Sequence, residues 1–212
     1  MRKIRQGAFA FALLSATGAG AVTTVNFDEG SGTLPANFNV IEDFESFAPG
    51  TPGGAIGPNA FAYNDSVPND AARPNFGSTG NFASVHTGGS FTINFGPTDD
   101  FAFVLGSLDT YNTLTLFYEG GGSQAYIGGQ IINDLTFPSG DQISGETNGV
   151  VRFTVISGPR LVGAQFESSQ NSFEFDNIST AVPEPATWAL MIGGFGLIGA
   201  TARRRARAVV TA

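Results

Sequence analysis

Few side chains in the 212-residue sequence are of the kinds that carry out covalent or acid–base chemistry. There is no cysteine, so a thiol nucleophile, a thiolate metal site and a disulfide are all excluded. His86, in "SVHTGG", is the only histidine, and neither a G-x-S-x-G nor an HExxH motif is present. Asp99 and Asp100 are adjacent, and neighbouring residues of a strand point to opposite faces, which disfavours a glycosidase pair. We therefore predict no catalytic residue and a protein that is not an enzyme, and we interpret His86 as a surface loop residue.

Charge is distributed unevenly along the chain. Residues 22–182 contain 17 acidic residues but only three arginines, Arg73, Arg152 and Arg160, which gives this span a net charge of −14. The other seven basic residues are Arg2, Lys3, Arg5, Arg203, Arg204, Arg205 and Arg207. Because an acidic surface repels phosphate groups, we expect no nucleic-acid partner and no attraction to anionic lipid headgroups.

Short stretches of alternating apolar and polar side chains occur between residues 22 and 180, separated by Gly, Pro, Asn and Asp. The stretches are "SFTINF" (90–95), "TLTLFY" (113–118), "VRFTVI" (151–156) and "SFEFDNI" (172–178). A period of two residues is typical of strands with one buried face. We therefore predict an all-β fold for residues 22–180, an antiparallel jelly-roll-like β-sandwich.

The alternation also predicts which side chains face the core. The predicted inward sets are Phe91, Ile93 and Phe95; Val151, Phe153 and Val155; and Phe173 and Phe175, with Asn177 as a further member. Most of the 20 phenylalanines lie in this region, so we expect aromatic rings to fill the core.

Residues 47–82 are rich in proline and glycine. This composition predicts long loops with one or two edge strands. Long loops at the end of a sandwich commonly form binding surfaces. Four tyrosines, which we expect to be exposed, could stack on sugar rings there: Tyr63, Tyr111, Tyr118 and Tyr126. The single tryptophan, Trp188, lies outside this region, which weakens the sugar-binding interpretation.

Residues 1–21 have the pattern of a secretory signal peptide. Arg2, Lys3 and Arg5 precede an apolar stretch at 8–14, and Ala19-Gly20-Ala21 has the small-x-small pattern of a cleavage site. We predict cleavage after Ala21, with the secretion machinery and signal peptidase as partners. The mature protein then begins near Val22 and is exported.

Residues 187–202 contain no charged side chain and predict a single transmembrane helix of about 24 Å. This is short for a hydrocarbon core of about 30 Å, but Trp188 at one boundary and the arginines at the other extend it into the interfaces. Residues 181–186 are predicted to be a linker and residues 203–212 a basic cytoplasmic tail. The positive-inside rule thus gives the same topology as the signal peptide.

The segment from residue 183 onwards resembles the PEP-CTERM sorting signal in its PEPxxWA form. The resemblance rests on Pro183-Glu184-Pro185, then Trp188-Ala189, then a glycine-rich apolar stretch, then Arg203-Arg204-Arg205. It implies that an exosortase, a membrane-embedded cysteine peptidase, recognises Pro183, Glu184 and Pro185 while the helix and arginines hold the chain in the inner membrane. The processed protein would then reach the cell surface or the extracellular space.

The stretch "FAFVLGSLDTYNTLTLFYEGG" (101–121) also looks like a segment shared among PEP-CTERM surface proteins, in which a buried strand leads into a turn. We predict that Asp109 and Asn112 hydrogen-bond to their own backbone and fix that turn. The alternative is that Asp109 and Tyr111 bind a sugar or an ion.

Two further stretches, "NVIEDFESFAPG" (39–50) and "NSFEFDNIST" (171–180), are similar to the first and last strands of carbohydrate-binding jelly rolls. That resemblance implies that the two strands pair, and that an acid from each joins backbone carbonyls around a structural Ca²⁺. The matching positions are Glu45 and Asp176, with Asp43 as an additional ligand. The alternative is that Glu45 and Asp176 are solvated residues at strand ends.

Taken together, these patterns predict an exported, non-catalytic protein of the cell surface or extracellular matrix, associated with a biofilm or exopolysaccharide. A carbohydrate-binding jelly-roll module is the alternative, and a polysaccharide-active enzyme is a remote one. The sequence identifies no ligand-binding residue.

Overall fold

The computed structural model describes residues 20–49 and 54–182, and Phe195 alone beyond them. It divides the chain into two units, Met1–Ala181 and Val182–Ala212. The first unit contains a short 3₁₀ turn at Gly128–Ile131 and twelve described strands. The strands are β1 (Val22–Glu29), β2 (Phe38–Glu42), β3 (Gly54–Gly57), β4 (Ala60–Tyr63), β5 (Phe82–Val85), β6 (Gly89–Thr98), β7 (Asp100–Leu105), β8 (Asn112–Tyr118), β9 (Ser123–Ile127), β10 (Gly149–Ser157), β11 (Leu161–Ser168) and β12 (Phe173–Ala181).

The strands form two antiparallel sheets, so the all-β prediction is confirmed. The larger sheet has the order β1-β10-β7-β12-β5-β4-β3, with β2 pairing to β12, and the smaller has the order β6-β11-β8-β9. The predicted pairing of the two stretches near 39–50 and 171–180 is also confirmed, since Ile178 faces Glu42 and Ser179 faces Val40 in the β2–β12 ladder.

The predicted alternation is confirmed along three strands. Burial alternates through β8, and Val151, Phe153 and Val155 of β10 face the core. On β6, Phe91 is buried while Ile93 and Phe95 pack against the core as partly buried residues. On β12 the pattern breaks after Phe175, because Asn177 has a left-handed backbone (φ 49°) at a register shift between Asp176 and Ser179. Ile178 is buried there, and the Asn177 side chain donates to the Gly77 carbonyl instead.

Phenylalanine rings join the two sheets, as predicted. Phe166 of β11, in the smaller sheet, stacks on Phe175 of β12, in the larger one, with ring centroids 3.8 Å apart. It also meets Phe103 of β7 edge to face at 5.0 Å. Because all three rings are fully buried, the apolar faces of the two sheets pack against each other through one aromatic core.

The region 47–82 contains the two short strands β3 and β4, and β3 lies at the end of the larger sheet, which agrees with the predicted edge strands. Between β4 and β5 a long loop runs over β12, where the Ala72 N–H donates to the Glu174 carboxyl at 3.1 Å. The loop therefore covers Glu174, which is buried although it points to the face of β12 opposite the core residue Phe175.

Three of the four tyrosines that we predicted to be exposed are buried, so that prediction was wrong for them. Tyr63, Tyr118 and Tyr126 are 1%, 5% and 7% exposed. Tyr118 is the last member of the buried alternating set of β8, and the ring of Tyr126 lies edge-on to Phe153 at 4.8 Å. Tyr63 stacks on Phe82. Only Tyr111 is half-buried, in the turn between β7 and β8.

Candidate functional site

A polar cleft of about 580 Å³ lies where four chain segments meet. We use "polar cleft" for the cavity lined by residues from the β4–β5 loop (66–72), the β7–β8 turn (Ser107, Asp109 and Tyr111), the segment before β10 (Gly140 and Gln142) and the start of β12 (Asn171, Ser172 and Glu174). This volume falls within the range usual for small-molecule sites. The strands β7, β8 and β12 hold three of these four segments in place.

Glu174 is the buried acid of the polar cleft. It is 3% exposed, and its carboxyl accepts hydrogen bonds from the Ala72 N–H, the Ser107 hydroxyl and the Ser172 hydroxyl. Burial raises the pKa of Glu174 to about 7, and those three donors oppose the shift. At neutral pH the group can therefore carry a proton and serve as a hydrogen-bond donor or acceptor.

Asp109 and Tyr111 line the polar cleft from the β7–β8 turn. The Asp109 Oδ1 accepts from the Ser139 hydroxyl at 2.8 Å, and the Tyr111 hydroxyl donates to the Asn171 carbonyl at 2.7 Å. Burial raises the pKa of Tyr111, and the neighbouring Asp109 carboxylate raises it further. The phenol therefore stays protonated and can donate throughout the physiological pH range.

Asn112 fixes the turn that carries Asp109 and Tyr111. Its Oδ1 accepts the Asp109 N–H at 2.7 Å, and its Nδ2 donates to the Ser168 hydroxyl and the Ser172 carbonyl. The turn prediction is thus confirmed for Asn112. The Asp109 carboxylate bonds to Ser139 rather than to its own backbone, which leaves it on the cleft wall, where the alternative interpretation of Asp109 and Tyr111 expected a ligand.

Asp70 joins the polar cleft to His86. The Tyr63 hydroxyl donates to Asp70 Oδ2 at 2.8 Å and lies 3.4 Å from His86 Nε2, while His86 Nδ1 is 3.7 Å from Asp70 Oδ1. Burial lowers the pKa of His86, and Asp70 opposes the shift. His86 was predicted to be a surface loop residue, but its side chain is only 16% exposed and both ring nitrogens face protein groups.

Asp99 and Asp100 do not line the cleft.

The residues proposed to bind Ca²⁺ lie outside the polar cleft. Asp43 Oδ1 accepts the Glu45 N–H at 3.1 Å, and Glu45 Oε1 accepts the Asn81 N–H at 2.7 Å. Asp176 is fully buried, and its Oδ2 makes no hydrogen bond to a described residue. Burial raises the pKa of Asp176 to about 7, and the negative charge of Glu45 adds to the shift. Because it is buried, Asp176 is not the solvated strand-end residue of the alternative.

The calcium site that the resemblance implies, an acid from each strand together with backbone carbonyls, stays a prediction. Within residues 20–49 and 54–182, no group of three or more acidic or histidine side chains converges on one point. Burial raises the pKa of Asp176 to about 7, and the Ser78 hydroxyl, the Asn177 N–H and the charge of Arg73 oppose the shift. Ca²⁺ requires six to eight oxygen ligands, so two carboxyls would need backbone carbonyls or other oxygen donors to complete the shell.

The residues that form the cleft were mostly missed by sequence reasoning. Asp109 and Tyr111 were considered, but Asp70, Gln142, Asn171 and Glu174 were not. The sequence did contain one indication of Glu174, because an acidic residue between Phe173 and Phe175 must be either exposed to solvent or covered by another segment. In the structure the β4–β5 loop covers it.

Several predictions concern residues that the structure does not describe. These are Ala19 of the cleavage site and the sorting residues Pro183, Glu184, Pro185, Trp188, Ala189, Arg203, Arg204 and Arg205. Ala21 is described, and β1 begins immediately after it at Val22. The predicted transmembrane helix at 187–202 lies outside the described residues except for Phe195, and in the part of the chain that the structure covers no helix has the length and hydropathy to span a bilayer.

Comparison with known proteins bears on the sorting segment. A family model described as the PEP-CTERM protein-sorting motif matches residues 181–205, which include all eight predicted sorting residues. Neither curated proteins nor solved structures gave a match. The motif implies export, passage through the membrane and processing by an exosortase. Residues 181–205 therefore match the PEP-CTERM protein-sorting motif, which agrees with the resemblance found in the sequence.

Proposed function

We propose that this protein is a non-catalytic component of the cell surface or extracellular matrix, and that its jelly-roll-like sandwich binds a glycan of that matrix in the polar cleft. The sorting motif at residues 181–205 supports the delivery route. In this proposal residues 1–21 are removed by signal peptidase, and residues 187–202 hold the chain in the inner membrane until the exosortase acts.

The observation that carries the glycan proposal is the polar cleft itself. Its wall presents side chains that can donate and accept hydrogen bonds at once, including Gln142 and Asn171, beside the carboxylates of Asp70 and Asp109. Paired amides and carboxylates match the vicinal hydroxyls of sugars, which also donate and accept. The half-buried ring of Tyr111 supplies apolar surface for the CH groups of a pyranose.

The charge of the cleft favours a neutral glycan. Asp70 and Asp109 line it, and none of its described lining residues is a lysine or an arginine. A uronate or a sulfated sugar would therefore meet like charge without a cationic partner, which is unfavourable in a partly enclosed site.

A non-catalytic role is favoured by how the reactive groups are used. The Glu174 carboxyl is held by three hydrogen bonds from protein groups, and His86 is held between Asp70 and Tyr63. General acids and bases need a free lone pair or proton directed at the substrate. These two groups instead hold the β4–β5 loop and the end of β5 in place.

Glycan binding can be measured by affinity electrophoresis of the processed protein in gels that contain exopolysaccharide from its own cells. We expect retardation, and we expect Asp109→Asn and Gln142→Ala each to weaken it by about 10-fold, because each removes part of a polar contact worth about 1.4 kcal/mol. Asp99→Asn and Gln165→Ala are matched controls on surfaces away from the cleft. Absence of retardation, or equal weakening by the controls, would contradict the proposal.

The delivery route predicts a loss of processing when Pro183, Glu184 and Pro185 are all replaced with alanine. We expect an uncut precursor that stays in the membrane fraction, because the substitution destroys the proline-bracketed recognition peptide and keeps the apolar segment. Immunoblots of membrane and culture fractions measure this, with an Asn26→Ala variant on β1 as the control. Normal release of the triple variant would show that sorting does not depend on these residues.

A further inference from the structure

The last strand of the sandwich ends very close to the sorting motif along the chain. β12 runs to Ala181, and Val182 is the only residue between this strand and Pro183. In the β2–β12 ladder Ser179 faces Val40. Strand residues are about 3.4 Å apart, neighbouring strands are about 4.8 Å apart, and an extended chain spans at most about 3.6 Å per residue. The Cα atoms of Val40 and Pro183 can therefore be at most about 16 Å apart.

Two aliphatic side chains of β2 are exposed beside this strand end. Val40 and Ile41 are 45% and 39% exposed, and Val182 is 40% exposed. The ladder shifts register between Ile178 and Ser179, which leaves Ile41 without a partner on β12. A bulge of this kind can turn the extra side chain away from the ladder. Among the described strands only β12 pairs with β2. We use "β2 edge" for the surface formed by Val40 and Ile41.

The size and charge of this surface decide which partner it fits. Two aliphatic side chains cover far less than the roughly 800 Å² per partner of a stable interface, so a second copy of the chain would not stay bound. Residues 22–182 carry a net charge of −14, which opposes binding to anionic lipid. A peptidase that already holds residues 183–185 needs little additional area, because the short connection keeps the β2 edge at a high effective concentration beside it.

We propose that the β2 edge is a second contact surface for the exosortase, which binds it while the active site holds Pro183, Glu184 and Pro185. This inference rests on the delivery route proposed above, because it takes the exosortase as the processing enzyme. Even a small protein domain is about 30 Å across, which exceeds the limit of about 16 Å, so the peptidase surface extends to the body beside the bound peptide. A chain in which β2 has not paired with β12 is therefore processed more slowly.

The polar cleft lies toward the other end of β12. Glu174 lines the cleft and Ala181 ends the strand, seven positions later, which corresponds to about 24 Å. Substitutions at the β2 edge are therefore expected to leave the retardation by exopolysaccharide unchanged, so processing and glycan binding can be tested separately.

The rate at which precursor becomes processed protein in cells tests the contact. Val40→Thr combined with Ile41→Thr keeps β-branched side chains in β2 and removes apolar surface, and we expect it to slow processing by about fivefold. Ile127→Thr combined with Leu135→Thr is the matched control, because both side chains are exposed and neither lies on β2 or β12. The control is expected to be processed at the wild-type rate. Pulse-labelling followed by immunoprecipitation measures both rates.

A longer connection gives a second test in which the body is unchanged. An insertion of about ten glycine and serine residues between Val182 and Pro183 lowers the effective concentration of the β2 edge at the peptidase. We expect this insertion to slow processing. In the lengthened chain the two β2 substitutions are expected to slow processing by less than about twofold further, because the contact that they weaken is already reduced.

Three results would overturn the inference. They are processing of the β2 variant at the wild-type rate, equal slowing by the control pair, and equal slowing by the β2 substitutions with and without the insertion. Normal release of the triple alanine variant at residues 183–185 would overturn the delivery route as well, so the two failures are distinguishable. The thermal midpoint of the processed β2 variant is expected to match that of the wild type, which shows that slower processing does not come from misfolding.

Discussion

Replacing Phe166 with alanine is expected to lower the free energy of unfolding by about 3–5 kcal/mol, the usual loss for a large aromatic side chain in a close-packed core. Phe166 is fully buried and contacts the rings of Phe91, Phe103, Phe173 and Phe175, which belong to both sheets. These four rings also take part in other aromatic pairs, so we expect them to fill little of the cavity. Urea unfolding followed by far-ultraviolet circular dichroism measures the loss.

Phe117 is the matched control for this substitution. It is half-buried on the opposite face of β8, between the buried residues Leu116 and Tyr118. Phe117→Ala is expected to cost about 1 kcal/mol, because less apolar area leaves the protein interior. Equal losses for the two variants would mean that Phe166 is not the centre of the shared core.

Stability is expected to fall as the pH rises from about 5 to about 8. Burial raises the pKa of Glu174 from 4.5 to about 7 and that of Asp176 from 3.8 to about 7. Between the unfolded and folded pKa values the folded state binds more protons than the unfolded state, so each rise in pH favours unfolding. The stabilisation is complete when the pH is below the pKa that these two carboxyls have in the unfolded chain. It is lost as the pH rises through about 7, which is their pKa in the folded protein.

The size of the effect is on the order of 3 kcal/mol for Glu174 alone, since one pKa unit corresponds to about 1.4 kcal/mol. Urea unfolding at several pH values measures it. Glu174→Gln is expected to flatten the pH dependence, because an amide keeps the hydrogen bonds with Ala72 and Ser107 and does not ionise. Glu119→Gln, at an exposed ion pair with Arg160, is the control and leaves the curve unchanged. A stability that increases steadily from pH 5 to pH 8 would contradict the assignment.

The sequence was sufficient for the strands and their inward faces wherever the backbone stays regular. Val151, Phe153 and Val155 follow a simple period of two, and the structure places all three in the core. Asn177 departs from that period because its positive φ turns the residues that follow it to the other face of the sheet. No local sequence pattern indicates a residue with such a backbone. Tyr118 was misjudged although the alternation of β8 already placed it with Leu114 and Leu116 on the buried face.

The polar cleft could not be predicted in the same way, because its walls are brought together by non-local pairing. Ala72 and Glu174 are 102 residues apart in the chain, yet they share a hydrogen bond. Only the register of β12 against β5 and β7 determines which loops meet there. Asp70, Gln142 and Asn171 lie in irregular segments that carry no periodic signal, so their convergence becomes visible only in three dimensions.

The position of β12 in the larger sheet has a consequence for the timing of export. β12 is the strand nearest the C-terminal side of the sandwich, yet it pairs with β2, β5 and β7, and it provides Glu174 to the cleft. Synthesis proceeds from the N-terminus, so the sheet lacks its central partner until nearly the whole body has been made. We expect the chain to stay unfolded and competent for translocation during its passage, and to form the polar cleft only on the far side of the membrane.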